Sequence, residues 1–324
     1  MEKYYFLTHD NVDPYFNLAS EEYLLTKKDE YFIYIWQNDS SVIIGVNQDA
    51  VKEVNLEYTQ SKGVKVARRL TGGGAVYHDL NNVCYTIIAP FNKEEDNYIK
   101  FTKPVIEYLN GLGVKAEFSG RNDIIVEGKK ISGNAQKIYK DRILHHGTLL
   151  FDSNMSALTK ALKENKLKIE SKGIKSIRAR VTNIKEHLRE PIGREEFILG
   201  LKEYLKKDLE EYKFSSIDLE SINRLKEQKY STFEWNIGNS PKGKITFTEK
   251  FDFGIFSLNF DLVQGRVENP KINGDFFTIR DIEDFEKSLN GVALKKEELL
   301  RAFSQIEEYI PKANPIKIVE KLLK

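Results

Sequence analysis

Three consecutive glycines, Gly72-Gly73-Gly74, follow the pair Arg68-Arg69 and lead into Ala75-Val76-Tyr77-His78-Asp79. A glycine run loses much conformational entropy on folding, so it persists where the backbone must turn tightly or be approached closely. Without Cβ atoms, successive N–H groups can converge on one anion, and neighbouring guanidinium groups add forked donors. Taken alone, the segment fits a tight surface turn beside a charge pair as well as an anion cradle. It is not a Walker loop, because no Lys-Ser/Thr follows the glycines. Nor are its glycines spaced as in a dinucleotide fingerprint.

The 324 residues suffice for a large domain and a smaller one. Lys+Arg (50) and Asp+Glu (49) nearly cancel, leaving +1, which argues against a general nucleic-acid binder. No apolar run is long enough to span a bilayer, and Met1 to Tyr5 lacks the pattern of a signal peptide. The single cysteine, Cys84, forbids an intramolecular disulfide and fits a reducing cytoplasm. With five histidines and one cysteine, a structural metal site is not expected.

The chain alternates strand and helix patterns. Strands are expected at Tyr4 to Leu7, Tyr31 to Trp36, Ser41 to Gly45, Val64 to Val66 and Val83 to Ala89, with helices at Asn17 to Leu25 and Val54 to Lys62. Cys84 lies in an apolar strand with no base next to it in sequence, which favours a buried structural thiol over a nucleophile. A helix from Lys103 to Leu112 would carry Pro104 in its first turn and end at Gly113. Ile124 to Gly133 reads as a hairpin around Glu127-Gly128, so Lys129 and Lys130 face opposite ways. A second hairpin pairs Ala135 to Tyr139 with Arg142 to Phe151. Within it His145 and His146 diverge, so packing or hydrogen bonding suits them better than a shared ion. Helices follow at Ala157 to Glu164, Glu195 to Lys207 and Asp218 to Glu227, with a basic loop from Lys168 to Asn183. The breaker-rich stretch from Trp235 to Gly243 ends the first unit. The predicted domains are therefore 1–243 and 244–324. In the second, strands alternate from Ile245 to Phe260, turns fill Asp261 to Gly274, and helices flank Asn290-Gly291.

An arginine–glycine cradle, the Asn122-Asp123 corner, a hairpin lysine and a basic loop suit the side-by-side binding of a carboxylate and a polyphosphate. Asp123 is a candidate magnesium ligand. No Ser–His–Asp set and no paired-carboxylate signature is visible.

Four ordered blocks resemble the lipoate–protein ligases. They are Arg68 to Asp79, Gly120-Arg121-Asn122-Asp123-Ile124 through Lys130-Ile131-Ser132-Gly133-Asn134-Ala135-Gln136, His145-His146-Gly147-Thr148-Leu149-Leu150, and Ser176 to Asn183. The resemblance implies an α+β fold: a mixed β-sheet catalytic domain of the biotin/lipoate ligase type with flanking helices, plus a small α+β C-terminal accessory domain. It implies ATP-dependent activation of lipoate to lipoyl-AMP, with Mg2+, and transfer of the lipoyl group to a lysine. The acceptors would be apo lipoyl domains of 2-oxoacid dehydrogenase complexes and the glycine-cleavage H protein, with neither nucleic acid nor membrane as partner.

By match of position, Arg69 would contact the nucleotide and the lipoate site, and Gly74, Ala75, Val76 and Tyr77 would lay backbone against the nucleotide. Lys130, in the family's Lys-x-x-Gly pattern, would be the catalytic residue, between the lipoyl carbonyl and the phosphate. Asn122 and Asp123 would serve phosphates and metal. Leu18, Glu21 and His78 would border the lipoyl tunnel. Arg178 and Arg180 would belong to a loop closing over the adenylate. Lys137 stands where some members have arginine and lacks its planar fork. Two other readings remain open on sequence: an ATP-independent octanoyl or lipoyl carrier-to-carrier acyltransferase, some of which use a cysteine, and a non-enzymatic lipoate-binding module.

Overall fold

The computed structural model describes residues 3–163, 180–238, 245–263, 266–293 and 295–323. The first half runs β1 (Tyr4–Thr8), α1 (Pro14–Lys27), β2 (Tyr31–Trp36), β3 (Ser41–Ile44), α2 (Ala50–Glu53), α3 (Leu56–Ser61), β4 (Lys65–Arg68), β5 (Val76–His78), β6 (Asn82–Pro90) and α4 (Asn97–Gly111). It continues through β7 (Glu117–Ser119), β8 (Asp123–Val126), β9 (Lys129–Tyr139), β10 (Arg142–Leu150), α5 (Met155–Ala161), α6 (Arg194–Lys206), β11 (Glu210–Tyr212) and α7 (Ser216–Leu225). Among the described residues, eight strands form one mixed sheet in the order β11-β1-β2-β6-β10-β9-β8-β7. A small sheet, β4-β3-β5, stands apart from it and delivers the glycine loop.

Period-2 alternation sends successive side chains of the large sheet to opposite faces. One face packs Tyr85, Ile131 and Leu149 against Val105 and Leu109 of α4 and Phe197 and Leu201 of α6. The other packs Tyr34, Trp36, Cys84 and Ile88 against α1. Helix α1 starts at Pro14, with Asp13 capping the Tyr15 amide at 3.4 Å, and buries Leu18 and Leu24 together with Asn17, Ser20 and Glu21. A helix this enclosed brings polar side chains inside, where each needs a partner.

Several sequence expectations need correction. The α4 helix begins at Asn97, capped by Asp96, so Pro104 lies inside it and not in the first turn. The helix read from Val54 starts at Leu56, capped by Asn55, and a separate short helix, α2, ends at Glu53 just before it. Gly133 does not break its strand, because β9 runs unbroken from Lys129 to Tyr139 and pairs with both neighbours. In the C-terminal unit, β12 (Ile245–Phe251), β13 (Gly254–Val263) and β14 (Arg266–Gly274) form an antiparallel sheet. Asp261 to Gly274 is therefore mostly strand, where turns were expected, held by pairs such as Leu258 with Ile272. This sheet packs on α8 (Ile282–Leu289), α9 (Lys296–Phe303) and α10 (Pro315–Leu322) around Phe256, Phe276, Phe285 and Phe303. The proposed boundary at Gly243 and most of the Lys168–Asn183 loop lie outside the described residues.

Candidate active site

The hairpin β8–β9 turns through Glu127 (φ 50) and Gly128 (φ 74), the two positive-φ positions of a type I′ turn. Its register shifts, since Ile125 pairs with Lys130 and Ile124 with Ser132. The extra residue, Ile131, is fully buried in the core. Lys129 is exposed, and Lys130 lines a cavity of about 100 Å³. The Lys130 ammonium sits 2.7 Å from Asp123 Oδ1. Its main chain is also held: Lys130 N–H donates to Arg180 O at 2.8 Å, and Thr182 N–H donates to Lys130 O at 3.0 Å.

The glycine loop forms the facing wall. Gly73 has φ +94, and a Cβ on Gly45 would overlap the Gly73 carbonyl oxygen, so the loop lies tight on the end of β3. Both arginines are occupied by main chain. Arg68, 1% exposed, donates to the carbonyls of Gly45, Val46, Gln48, Trp235 and Asn236 at 2.6–3.1 Å. Burial pushes its guanidinium down to about 10, still charged at neutral pH. Arg69 donates to Thr71 Oγ1 and to the carbonyls of Ile43, Gly72 and Gly74. The guanidinium groups therefore shape the cradle first. The C-terminal unit rests on the same loop: Gly73 N–H donates to Phe276 O at 3.3 Å, and the Arg121 guanidinium lies 4.6 Å from the centre of the Phe277 ring.

Of the sequence-predicted residues, Leu18, Arg69, Gly74, Ala75, Val76, His78, Asn122 and Lys130 line this one cavity. Asp123 joins through its ion pair with Lys130. Glu21 joins through His146, whose Nδ1 lies 2.9 Å from Glu21 Oε1 and whose Nε2 lies 2.8 Å from Thr71 Oγ1. The Tyr77 side chain packs away from the cavity, among Val42, Ile44 and Val54. Arg180 touches Lys130 through its carbonyl, and Arg178 lies outside the described residues.

Sequence reasoning missed Trp36, Ile43 and Thr148 as cavity walls, and it assigned His146 no place there. Register brings Trp36 and Thr148 together through Cys84, since Trp36 pairs with Cys84 and Cys84 with Thr148 across β2, β6 and β10. Their alternation in each strand was visible, but not which strands are neighbours. His145 and His146 do diverge. His145 faces the other layer, 2.9 Å from Gln136 Nε2 and against the rings of Tyr98 and Phe101.

Cys84 is 1% exposed, as a structural thiol should be. The structure nonetheless supplies the neighbour that the sequence hid: His78 Nδ1 lies 3.7 Å from its Sγ. Burial pushes the thiol well up and the imidazole down, so both stay neutral. A thiolate–imidazolium pair is thus disfavoured.

Burial holds both His78 and His145 at about 3, and charge on His146 pushes each the same way, joined by Arg69 at His78. Below about 6.5 the unfolded chain takes up protons that these rings refuse when folded. Stability is therefore full above pH 6.5 and falls toward pH 3, by up to about 1.4 kcal/mol per pH unit for each ring. Thermal melts at pH 7, 5.5 and 4.5 should show a progressive fall that shrinks in His145→Gln. A melting temperature unchanged down to pH 4.5 would contradict it.

Comparison with known proteins gives a consistent picture. The profile of the lipoyl protein ligase A/B catalytic domain matches residues 13–206, and that of the bacterial lipoate protein ligase C-terminus matches residues 240–322. The chain is 43% identical over 295 residues to lipoate-protein ligase LplJ of Bacillus subtilis, covering 88% of this chain and 89% of that one. Its structure resembles P. falciparum LipL1 in complex with lipoate, with a TM-score of 0.79, 29% identity and 99% of each chain covered. It also resembles a lipoate-protein ligase A bound with ATP, with a TM-score of 0.62, 28% identity, 74% of this chain covered and 99% of that one.

Proposed function

The chain belongs to the lipoate–protein ligase family, and we propose that it carries out that family's two-step reaction at the cavity between the glycine loop and Lys130. A lipoate carboxylate oxygen attacks the α-phosphorus of ATP, giving lipoyl-AMP and expelling pyrophosphate. The amine of an acceptor lysine then attacks the acyl carbonyl, and AMP leaves. The observation that carries this reading is the position of Lys130. Its ammonium stands at the polar end of a cavity whose far end is apolar, walled by Leu18, Trp36, Ile43 and Val76. An acid with a long apolar tail fits that polarity, with its carboxylate at the ammonium.

On this reading Lys130 donates first to the carboxylate and α-phosphate, then to the acyl oxygen, as charge develops on each. It forms no covalent bond. Arg69 holds the loop so that Gly74, Ala75, Val76 and Tyr77 offer backbone to the nucleotide. The Gly73 amide is bonded to Phe276 O, so nucleotide binding there is proposed to shift residues 244–324 relative to 1–243. Arg178 and Arg180 would close over the adenylate. Glu21, Leu18 and His78 border the acyl chain.

Asp123 and Asn122 would hold magnesium, which supplies charge neutralisation to the phosphates. One carboxylate beside an amide fits that ion, because magnesium takes one or two carboxylates when phosphates supply the rest. Among the described residues no cluster of three metal-ligating side chains competes for it. The acceptors proposed are apo lipoyl domains of 2-oxoacid dehydrogenases and the glycine-cleavage H protein. No helix among the described residues is long and apolar enough to cross a membrane, and the lone buried cysteine supports a cytoplasmic setting.

Lipoate-dependent exchange of pyrophosphate into ATP tests the first step directly. Cys84→Ala should still show exchange and acyl transfer, with a stability loss of about 1 kcal/mol. No exchange in the parent protein, or transfer abolished in a folded Cys84→Ala, would instead favour a cysteine acyltransferase.

A further inference from the structure

His78 ends β5 with its ring 3% exposed, at the wall of the cavity. Its protonation can be read outward from the main chain. Asn17 Nδ2 faces two carbonyls, Gln37 O at 2.8 Å and Asn11 O at 3.2 Å, so the NH2 group points there. The same NH2 lies 2.9 Å from Asn38 Oδ1, which turns the Asn38 NH2 toward His78 Nδ1 at 3.0 Å. An amide NH2 can only donate. Nδ1 therefore accepts, and in the neutral ring the proton sits on Nε2. That Nε2 is buried and has no hydrogen-bond partner among the described residues.

Near this end Asn82 keeps a buried Oδ1 without a partner, but it does not line the cavity. The polar side chains that line it or bond to its lining are otherwise satisfied. Trp36 Nε1 donates to Thr86 Oγ1 at 2.9 Å, Thr86 Oγ1 to Glu21 at 2.6 Å, and His146 bridges Glu21 and Thr71. Among the cavity-lining residues, His78 Nε2 is the one buried side-chain donor left over. A buried N–H with no acceptor is costly, so this one marks a place where a ligand completes the site.

The position within the cavity says which part of the ligand. From the Lys130 strand the floor crosses β10 and β6 to Trp36 on β2, a span of about 14 Å at about 4.8 Å per strand. With the carboxylate at Lys130, the far end of an eight-carbon acid reaches Trp36, Cys84 and His78. The only acceptor that lipoate carries there is dithiolane sulfur, a weak one.

We infer that the Nε2–H of His78 donates to a dithiolane sulfur and thereby favours lipoate over the straight-chain acid octanoate. The inference rests on the ligase reading above. Octanoate brings only C–H groups to this donor and leaves it unpaired in an apolar pocket. A site built around a hydrogen bond rejects the analogue that lacks the matching group. Because sulfur accepts weakly, the discrimination is modest, roughly tenfold.

Two variants separate the donor from mere filling of space: His78→Leu removes it, and His78→Gln keeps an amide N–H near the place of Nε2. The Kd of lipoate and of octanoate is measured by calorimetry, and kcat/KM for each by pyrophosphate exchange. The preference for lipoate over octanoate should fall about tenfold in His78→Leu, seen as a larger Kd and KM for lipoate relative to octanoate. In His78→Gln it should stay within about threefold of the parent. Nitrogen NMR of the labelled parent protein should show the proton on Nε2, and that resonance should shift with lipoate but not with octanoate. An unchanged ratio in His78→Leu, a proton on Nδ1, or equal shifts with both acids would overturn the inference. The NMR experiment decides even if a variant fails to fold. Absence of exchange in the parent protein would sink the ligase reading alone, since the binding ratio and the NMR do not depend on turnover.

Discussion

Lys130→Met loses lipoate adenylation by about 10²–10³-fold while the protein stays folded. The methionine keeps most of the stem and deletes the charge at the polar end of the cavity. It also frees the Asp123 carboxylate from the ammonium now 2.7 Å away. The rate loss comes from the missing donor to the developing oxyanion, since the freed carboxylate stays available to the proposed magnesium. Transfer from supplied lipoyl-AMP should fall as well, because the same ammonium would face the acyl oxygen. Lys129→Met is the matched control: that side chain is exposed, one residue away on the opposite face, and activity should stay near the parent value. Stopped-flow or exchange rates for the two variants decide the matter, and an active Lys130→Met beside an inactive Lys129→Met would refute the assignment. Stability should barely change, since the Lys130 side chain is about a third exposed and its ion pair is screened.

Arg68→Ala should have the opposite profile, a large loss of stability centred on the fold. Five carbonyls, those of Gly45, Val46, Gln48, Trp235 and Asn236, would lose a donor at once. Buried unsatisfied groups cost about 1–3 kcal/mol each, and solvent entering the gap recovers part of that. A net loss of at least about 3 kcal/mol is expected. At roughly 2–4 °C per kcal/mol, the melting temperature drops by about 10 °C. Arg68→Lys should recover little, because one ammonium cannot reach both the Gly45–Gln48 turn and the Trp235–Asn236 segment as a planar fork does. Calorimetric melting checks this, and an Arg68→Ala protein that melts within about 1 °C of the parent would show the network to be dispensable. The neighbouring Arg69 differs. Its bonds end on Ile43, Gly72 and Gly74, so its loss should disturb the nucleotide loop more than the global fold.

Local physics made part of this legible in the sequence. The Glu127-Gly128 turn needs positive φ, and period-2 alternation then sets Lys129 and Lys130 on opposite faces. The triple glycine marked a loop where backbone had to pack against backbone, as Gly45 and Gly73 do. The same alternation separated His145 from His146. Each of these depends on residues within a few positions of one another, so no distant partner could change the answer.

Tertiary structure decided the rest. The arginine pair reads in sequence as two cations beside an anion cradle, but Arg68 is consumed by Trp235 and Asn236, the latter 168 residues downstream. Cys84 has no base near it in sequence, yet β5 brings His78 to 3.7 Å. The row Trp36, Cys84 and Thr148 exists only because β2, β6 and β10 are neighbours in that register. The protonation of His78 is fixed by Asn38 and Asn17, which lie 40 and 61 positions earlier in the chain. A residue's type states what it can donate or accept. Which of those bonds it makes depends on which other polar groups are buried beside it, because a buried group takes whatever partner folding leaves within reach. The residue types and the local turns were therefore set by sequence, and the partners that turn an arginine into a strut and a histidine into an open donor were set by the packing of distant strands.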